Sequence, residues 1–335
     1  MTLITNSRLR AYYACQRLHQ IRFVQGMRAI GAERGEAGFG TLMHAGLEAW
    51  WLWHQVTPTH ILPDALNSAL TAMRGKRDPS TDDADWEKAH ALMCAYDLRW
   101  APTMAEYEVL AVETEFRAPL VNPETLRPMR GVKLAGKLDA LVRDRSGGVW
   151  IVEHKTTGAD LTPGSTYFQR LRMDTQVSMY FAGARRLGYD PVGCLYDVIA
   201  RPDIRPKMAT PPEQRKFTKE GKLYANQRAE DETLDEFAER LTTVITPESF
   251  ARVEVVRLEQ ELRAFDADLY AASRQMLAVE RTQRGAHAPR NVDACHRQFG
   301  RPCEFLSACD GSADLADETL FAKGASVHPE LETAR

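Results

Sequence analysis

The sequence predicts an α/β protein, a mixed β-sheet flanked by helices, and three observations carry that prediction. Residues 132–155 alternate apolar and polar positions with the period of a strand on both sides of a glycine turn. Further strand-like runs lie before this hairpin at 109–120 and after it at 193–200 and 250–258. Long helix-forming stretches surround them, at 5–100, 167–187 and 266–281.

The elements follow in chain order. Residues 5–100 are mainly helical, interrupted by a breaker-rich loop at 75–83. Thr41, after the flexible Gly38-Phe39-Gly40, is the expected N-cap of a helix that points Leu42, Leu47 and Trp51 inward and carries His44. The run at 109–120 is the strand that opens the sheet. In the hairpin, Val132, Leu134, Leu138, Ala140 and Val142 are expected on one face, against Lys133, Lys137, Asp139 and Arg143. Arg145-Ser146-Gly147-Gly148 makes the turn. On the return strand Val149, Ile151, Glu153 and Lys155 share one side, and Trp150, Val152 and His154 the other. A helix at about 167–187 puts Gln176 and Tyr180 four apart on one face. The strand at 193–200 ends in a proline-rich loop. A helix at 232–245 with Asp231 as its cap, a strand at 250–258 and a helix at 266–281 complete the order. Beyond Asp310 the chain is polar and small, and partial disorder is expected there.

Asp139 and Glu153 come from neighbouring strands, with Lys155 beside them. Two carboxylates so placed can hold a hard divalent cation, and an adjacent ammonium suits a phosphate substrate and the activation of a water. The plain alternative is an ordinary ion-pair surface on a solvated sheet. Against it stands the register: Glu153 and Lys155 continue the apolar stripe of Val149 and Ile151, and buried charge needs a partner. His44, neutral near pH 7 if unperturbed, could be a ligand or an ordinary core histidine.

The motifs G-x-x-D at 136–139, E-x-K at 153–155 and Q-x-x-x-Y at 176–180, preceded by His44 in its helix, occur in one order along the chain. Together they resemble the RecB-like exonuclease branch of the PD-(D/E)XK nuclease superfamily, over roughly residues 5 to 310. The resemblance implies a restriction-endonuclease-like core and a Mg²⁺- or Mn²⁺-dependent phosphodiester hydrolase. It implies metal ligation by His44, Asp139, Glu153 and the backbone carbonyl of His154. It also implies Asp139, Glu153, Lys155, Gln176 and Tyr180 as catalytic residues, Lys155 orienting the water and Gln176 with Tyr180 contacting DNA or bracing Lys155.

Six cysteines are present. Cys94 and Cys194 fall in apolar runs and are expected as small buried hydrophobes. Cys15, with Cys295, Cys303 and Cys309 at the other end, resembles the iron–sulfur staple of AddB-type and CRISPR-adaptation nucleases, which implies a [4Fe–4S] cluster. The seven residues between Cys295 and Cys303 depart from the commoner spacing of two. Four cysteines would also satisfy zinc. Disulfides fit a reduced cytosol poorly, and no secretory signal is read.

These readings divide the chain into a helical region at 1–105, a nuclease core at 106–265, a helix and Cys cluster at 266–312, and a tail at 313–335. With 335 residues, 44% hydrophobic and 27% charged, the chain can bury a sizeable core. The net charge of −3 argues against massive nonspecific DNA binding. Local charge is different: Arg281, Arg284, Arg290, Arg297 and Arg301 face one acid, Asp293, and form either a phosphate contact or a solvated loop. No apolar run approaches the ~20 residues that span a bilayer. There is no internal repeat, no glycine-rich phosphate loop and no helicase motor motif. The expected protein is a DNA exonuclease acting on single-stranded ends, in recombination, repair or phage DNA processing. It would work in a bacterial cytosol, with phage encoding as one origin, and a helicase or recombination protein is the expected partner. The oligomeric state is open. Two alternatives stand beside it: a DNA-end-binding subunit as in CRISPR adaptation, and a non-catalytic protein stapled by four cysteines.

Overall fold

A computed structural model describes residues 1–31, 36–55, 64–282, 288–296 and 302–331. The elements are β1 (Thr2–Ile4), α1 (Asn6–Ala14), α2 (Gln16–His19), β2 (Met27–Ala29), α3 (Glu36–Gln55), α4 (Ala65–Lys76) and α5 (Asp83–Trp100). Then come β3 (Tyr107–Val121), β4 (Pro128–Asp144), β5 (Val149–Thr157), α6 (Thr166–Leu171), α7 (Thr175–Arg186) and β6 (Pro191–Ala200). The chain closes with α8 (Leu234–Val244), β7 (Phe250–Val255), α9 (Glu259–Thr282), α10 (Leu306–Asp310) and β8 (Phe321–Lys323). The fold is the expected mixed α/β one, a central mixed sheet flanked by helices. Among the described residues no helix is long and apolar enough to cross a membrane.

The six-stranded sheet runs β1-β4-β5-β6-β7, and β3 pairs with β4 along its length. β4 and β5 are antiparallel, whereas β5 and β6 are parallel. One apolar cluster packs on one face and includes Leu138, Leu141, Ile151, Val177, Tyr180 and Met276. A second fills the other face and includes Leu47, Trp50, Trp51, Tyr96, Ala140, Val142 and Val152.

The other edge of β4 is shared, and this division makes the site. Arg143 to Ala140 pair with Val149 to Val152 of β5, and Leu134 to Val132 pair with Ile4 to Thr2 of β1. Between them, residues 135–139 have no strand neighbour on that edge among the described residues. The G-x-x-D motif lies in this opening.

Several local expectations differ from what forms. The alternation of β4 slips at Asp139, so Leu138 joins one cluster while Ala140 and Val142 join the other. Opposite this point β3 carries Glu113 at φ 47, a left-handed conformation within the β3–β4 ladder. The stretch at 167–187 is two helices, because Asp174 caps a new one by accepting from the Gln176 N–H at 2.9 Å. Thr233, not Asp231, caps α8, in a reciprocal capping box with Glu236. Thr41 lies within α3 instead of at its start. The segment after residue 312 carries β8, antiparallel to β2, and buries Phe321, His328 and Leu331; residues 332–335 lie outside the described residues, as do Arg284, Arg297 and Arg301.

Candidate active site

Glu153 is 2% exposed and Asp139 9%, and both belong to the end of β5 and β4 where the two strands part. Past Val152, the backbone N–H of His154 donates to Asp139 Oδ2 at 2.8 Å, tying the two strands across the fork. His44, on α3, brings its Nδ1 to 4.0 Å from the same Asp139 oxygen. Its ring lies 6.3 Å from that of His154, nearly edge-on.

Glu153 divides its two oxygens between different surroundings. Oε1 takes an ion pair from Lys155 and a hydrogen bond from Gln176 Nε2 at 2.8 Å. Oε2 is buried with no hydrogen-bond partner among the described residues. Such an orphaned oxygen is costly unless an absent group completes it. Desolvation, and then the charge of Asp139, push the Glu153 carboxyl above its ordinary value, against the pull of Lys155. Burial opposes the charge on Lys155, but Glu153 outweighs it and holds the ammonium above its usual range.

Gln176 organises the remaining groups. Its Oε1 accepts from Lys155 Nζ at 3.0 Å, and its Nε2 donates to the Tyr180 hydroxyl at 2.6 Å as well as to Glu153. The four-residue spacing on α7 brings both side chains to one face, as helical geometry requires. Burial and then Glu153 raise the Tyr180 phenol well above its usual value, so it stays neutral. Gly136 is required by the same packing. A Cβ there would meet the Phe116 ring at 2.7 Å and Tyr180 Cε1 at 3.5 Å.

One residue of this site escaped the sequence reading. Ligand atoms of His44, Glu113 and Asp139 lie within 4.8 Å of one another, and among the described residues they are the group with metal-ligand spacing. Glu153 is outside that trio, although Asp139 acts on its charge. Glu113 is in an ion pair with Lys137 on the neighbouring strand. Burial and the charge of Asp139 raise its carboxyl, while Lys137 lowers it. In the sequence Glu113 is one of several charges along a strand. Its backbone there is left-handed, a conformation that no residue-type preference of Glu announces. The donor set, imidazole and carboxylates with one oxygen unsatisfied, suits a hard divalent cation.

Behind the site lies a buried polar network. His154 Nδ1 is 3.2 Å from Asp197 Oδ2, and Asp197 is fully buried on the neighbouring strand β6. Tyr96 donates to Asp197, Trp51 Nε1 donates to the Tyr96 hydroxyl at 3.1 Å, and Arg252 Nε reaches Asp197 at 3.3 Å. The Arg252 guanidinium stacks 3.9 Å from the Trp100 ring centre. Burial works against ionised Asp197, but Arg252 and His154 overcome it and hold its carboxyl down at about 2. Burial also disfavours a charged His154, yet Asp197 raises its pKa. This network anchors the strand that carries Glu153 and Lys155.

In front of the site a cavity of about 720 Å³ is lined by Asp139, Gln176 and Tyr180 at one end. Asn6, Arg10, Arg22, Lys137 and His296 line it too. Its outer wall is α1 and the cysteine segment. Cys15, Cys295, Cys303 and Cys309 lie in this region, but among the described residues they do not form a group with metal-ligand spacing. Burial raises the Cys309 thiol, and Cys303, Cys15 and Cys295 are near enough to raise it further. The backbone N–H of Asn291 donates to Cys15 Sγ at 3.3 Å, and that of Cys303 to the Cys295 carbonyl at 2.7 Å. None of the six cysteines is in a disulfide. Cys194 is fully buried and Cys94 packs against the α3–α5 core.

Comparison with known proteins agrees with this geometry. The family model described as PD-(D/E)XK nuclease superfamily matches residues 4–310. No curated protein matches the chain. Among solved structures, one titled "Crystal structure of SSO0001" is 12% identical, over 71% of this chain and 74% of that chain, with a TM-score of 0.27. So low a score supports no argument about fold or function.

Proposed function

The chain belongs to the PD-(D/E)XK nuclease superfamily, and on that premise we propose that it is a Mg²⁺- or Mn²⁺-dependent exonuclease acting on single-stranded DNA ends. The observation that carries the reading is Glu153 Oε2, buried and unpartnered beside Asp139. A divalent cation is the partner such an oxygen lacks. In this reading His44, Asp139, Glu153 and the His154 carbonyl hold the cation, with Glu113 in reach. A cation there supplies a Lewis acid for the scissile phosphate and lowers the pKa of a bound water.

The protein's own groups do the rest. Lys155 keeps its proton and neutralises charge on the phosphate, its ammonium aimed by Glu153 and Gln176. Tyr180, kept neutral, is available to a backbone oxygen. Arg10, Arg22 and Lys137 along the cavity suit successive phosphates of a single strand. Cys15, Cys295, Cys303 and Cys309 are read as ligands of a [4Fe–4S] cluster, with zinc as the alternative; Cys303, Cys15 and Cys295 lie near enough to Cys309 to raise its thiol, which supports the reading, while the four thiols do not stand at metal-ligand spacing. Such an enzyme would serve recombination, repair or phage DNA processing beside a helicase.

End-labelled single-stranded DNA incubated with Mg²⁺, with Mn²⁺ and with EDTA tests this. Cleavage from the ends, blocked by EDTA, is expected. Internal fragments alone would replace exonuclease with endonuclease action, and no cleavage with either cation would overturn the reading.

A further inference from the structure

Between β6 and α8 the chain leaves the sheet at the catalytic end. The Arg201 N–H donates to the carbonyl of Thr157, two positions past Lys155. The excursion includes a small hairpin at 216–224. Phe217 and Leu223 form its bridge, and the Tyr224 N–H donates to the Lys216 carbonyl at 3.1 Å. The Thr218 N–H donates to the Lys222 carbonyl at 2.7 Å, and Gly221 closes the turn at φ 76. Its base is pinned as well: Gln227 Oε1 accepts from the Lys216 N–H at 2.6 Å, and Arg215 bonds the carbonyls of Thr210 and Ala229.

What this braced hairpin presents to solvent is unusual. Phe217 is 57% and Tyr224 45% exposed. By the alternation of a hairpin they lie on opposite faces. Lys216, Lys219 and Lys222 are exposed beside them, and none has a carboxylate partner among the described residues. Glu220 is the one acid of the turn, in a chain whose net charge is −3. Exposed rings interleaved with unpaired ammonium groups suit a ligand with flat apolar faces on an anionic backbone.

We propose that the 216–224 hairpin is a nucleic-acid contact outside the catalytic cleft. It takes unpaired bases of a single strand against Phe217 and Tyr224 and phosphates on the three lysines. The inference rests on the nuclease reading for its choice of partner, a nucleic acid over an acidic protein.

The test is fluorescence anisotropy of a labelled oligothymidylate of about 16 nucleotides with the full chain in EDTA, where turnover plays no part. Two variants are compared with the unaltered protein, Phe217→Ala/Tyr224→Ala and Lys216→Gln/Lys219→Gln/Lys222→Gln. Loss of two stacking rings should weaken binding roughly tenfold or more. Loss of three phosphate contacts should reduce the slope of log affinity against log salt by about 2. Both variants should melt as the unaltered protein does, since the hairpin belongs to no apolar cluster. These losses support the hairpin whatever the cleavage assay gives. Unchanged binding and salt slope in both variants overturn it even if the protein proves an active nuclease. A labelled acidic peptide that binds the full chain while the oligonucleotide does not overturns it also.

Discussion

Glu153 feels two opposite demands, a Lys155 ammonium on one oxygen and a dry surrounding with Asp139 nearby on the other. Its raised pKa sets the sign of a pH effect. In the metal-free protein this group contributes stability that is full below the ordinary carboxylate pKa of about 4.3. That contribution is lost as pH rises through the raised folded value. A cation competes with that proton, so Mn²⁺ should raise the melting temperature more at pH 8 than at pH 6. Glu153→Gln should remove most of the Mn²⁺-induced shift and lower cleavage by about 10³-fold or more. Thermal melts with and without Mn²⁺ at both pH values check this. An undiminished Mn²⁺ shift in Glu153→Gln would take this residue off the ligand set.

At the scale of elements, the site is the place where β4 changes partners. Residues 135–139 face neither β5 nor β1, and the freed edge is spanned by Asp139 and the His154 N–H. Gly136 lets Phe116 and Tyr180 pack against this bare stretch. Phe116 is 1% exposed and has no room to retreat. Gly136→Ala should therefore destabilise by about 1–3 kcal/mol, the usual cost of overpacking. It should also disturb Tyr180 and Gln176, and so lower activity in the protein that remains folded. Urea unfolding together with cleavage per folded molecule reads both effects; wild-type stability would mean that Phe116 moves freely after all.

Across the whole molecule the two ends of the chain are built into one wall. β2 pairs with β8, β1 joins the central sheet beside β4, and Thr5 Oγ1 lies 3.4 Å from His328 Nδ1. Arg17 bonds the Ala288 carbonyl, and Arg290 bonds the Cys309 carbonyl at 2.7 Å. Long-range closure costs chain entropy that grows slowly with length, so a metal joining these ends would stabilise the fold substantially. Protein purified anaerobically should be brown, and Cys303→Ser should bleach it and expose both ends to protease. Colourless protein with one zinc per chain would keep the staple and change its metal, whereas metal-free protein of unaltered stability would remove the staple altogether.

The strands β3 to β7 and the helix carrying His44 were legible in the sequence, because alternation and apolar periodicity report which face of an element is buried. The motifs at 136–139, 153–155 and 176–180 were legible for the same reason, being short and local. Thr41 as a cap and the single helix at 167–187 were misjudged where one local signal competed with another, and β8 formed in the polar tail through distant packing. Asp174 restarts a helix, and β8 is ordered by β2, nearly 300 positions away in sequence. Only the tertiary structure could place Glu113 beside His44 and Asp139. It alone could leave one Glu153 oxygen without a partner and set Asp197 beneath His154. Those are pairwise distances between residues far apart in the chain, and periodicity carries no information about them. The sequence by itself determined which faces are apolar and which chemistry-bearing residues exist; the forking of β4 decided which of them meet.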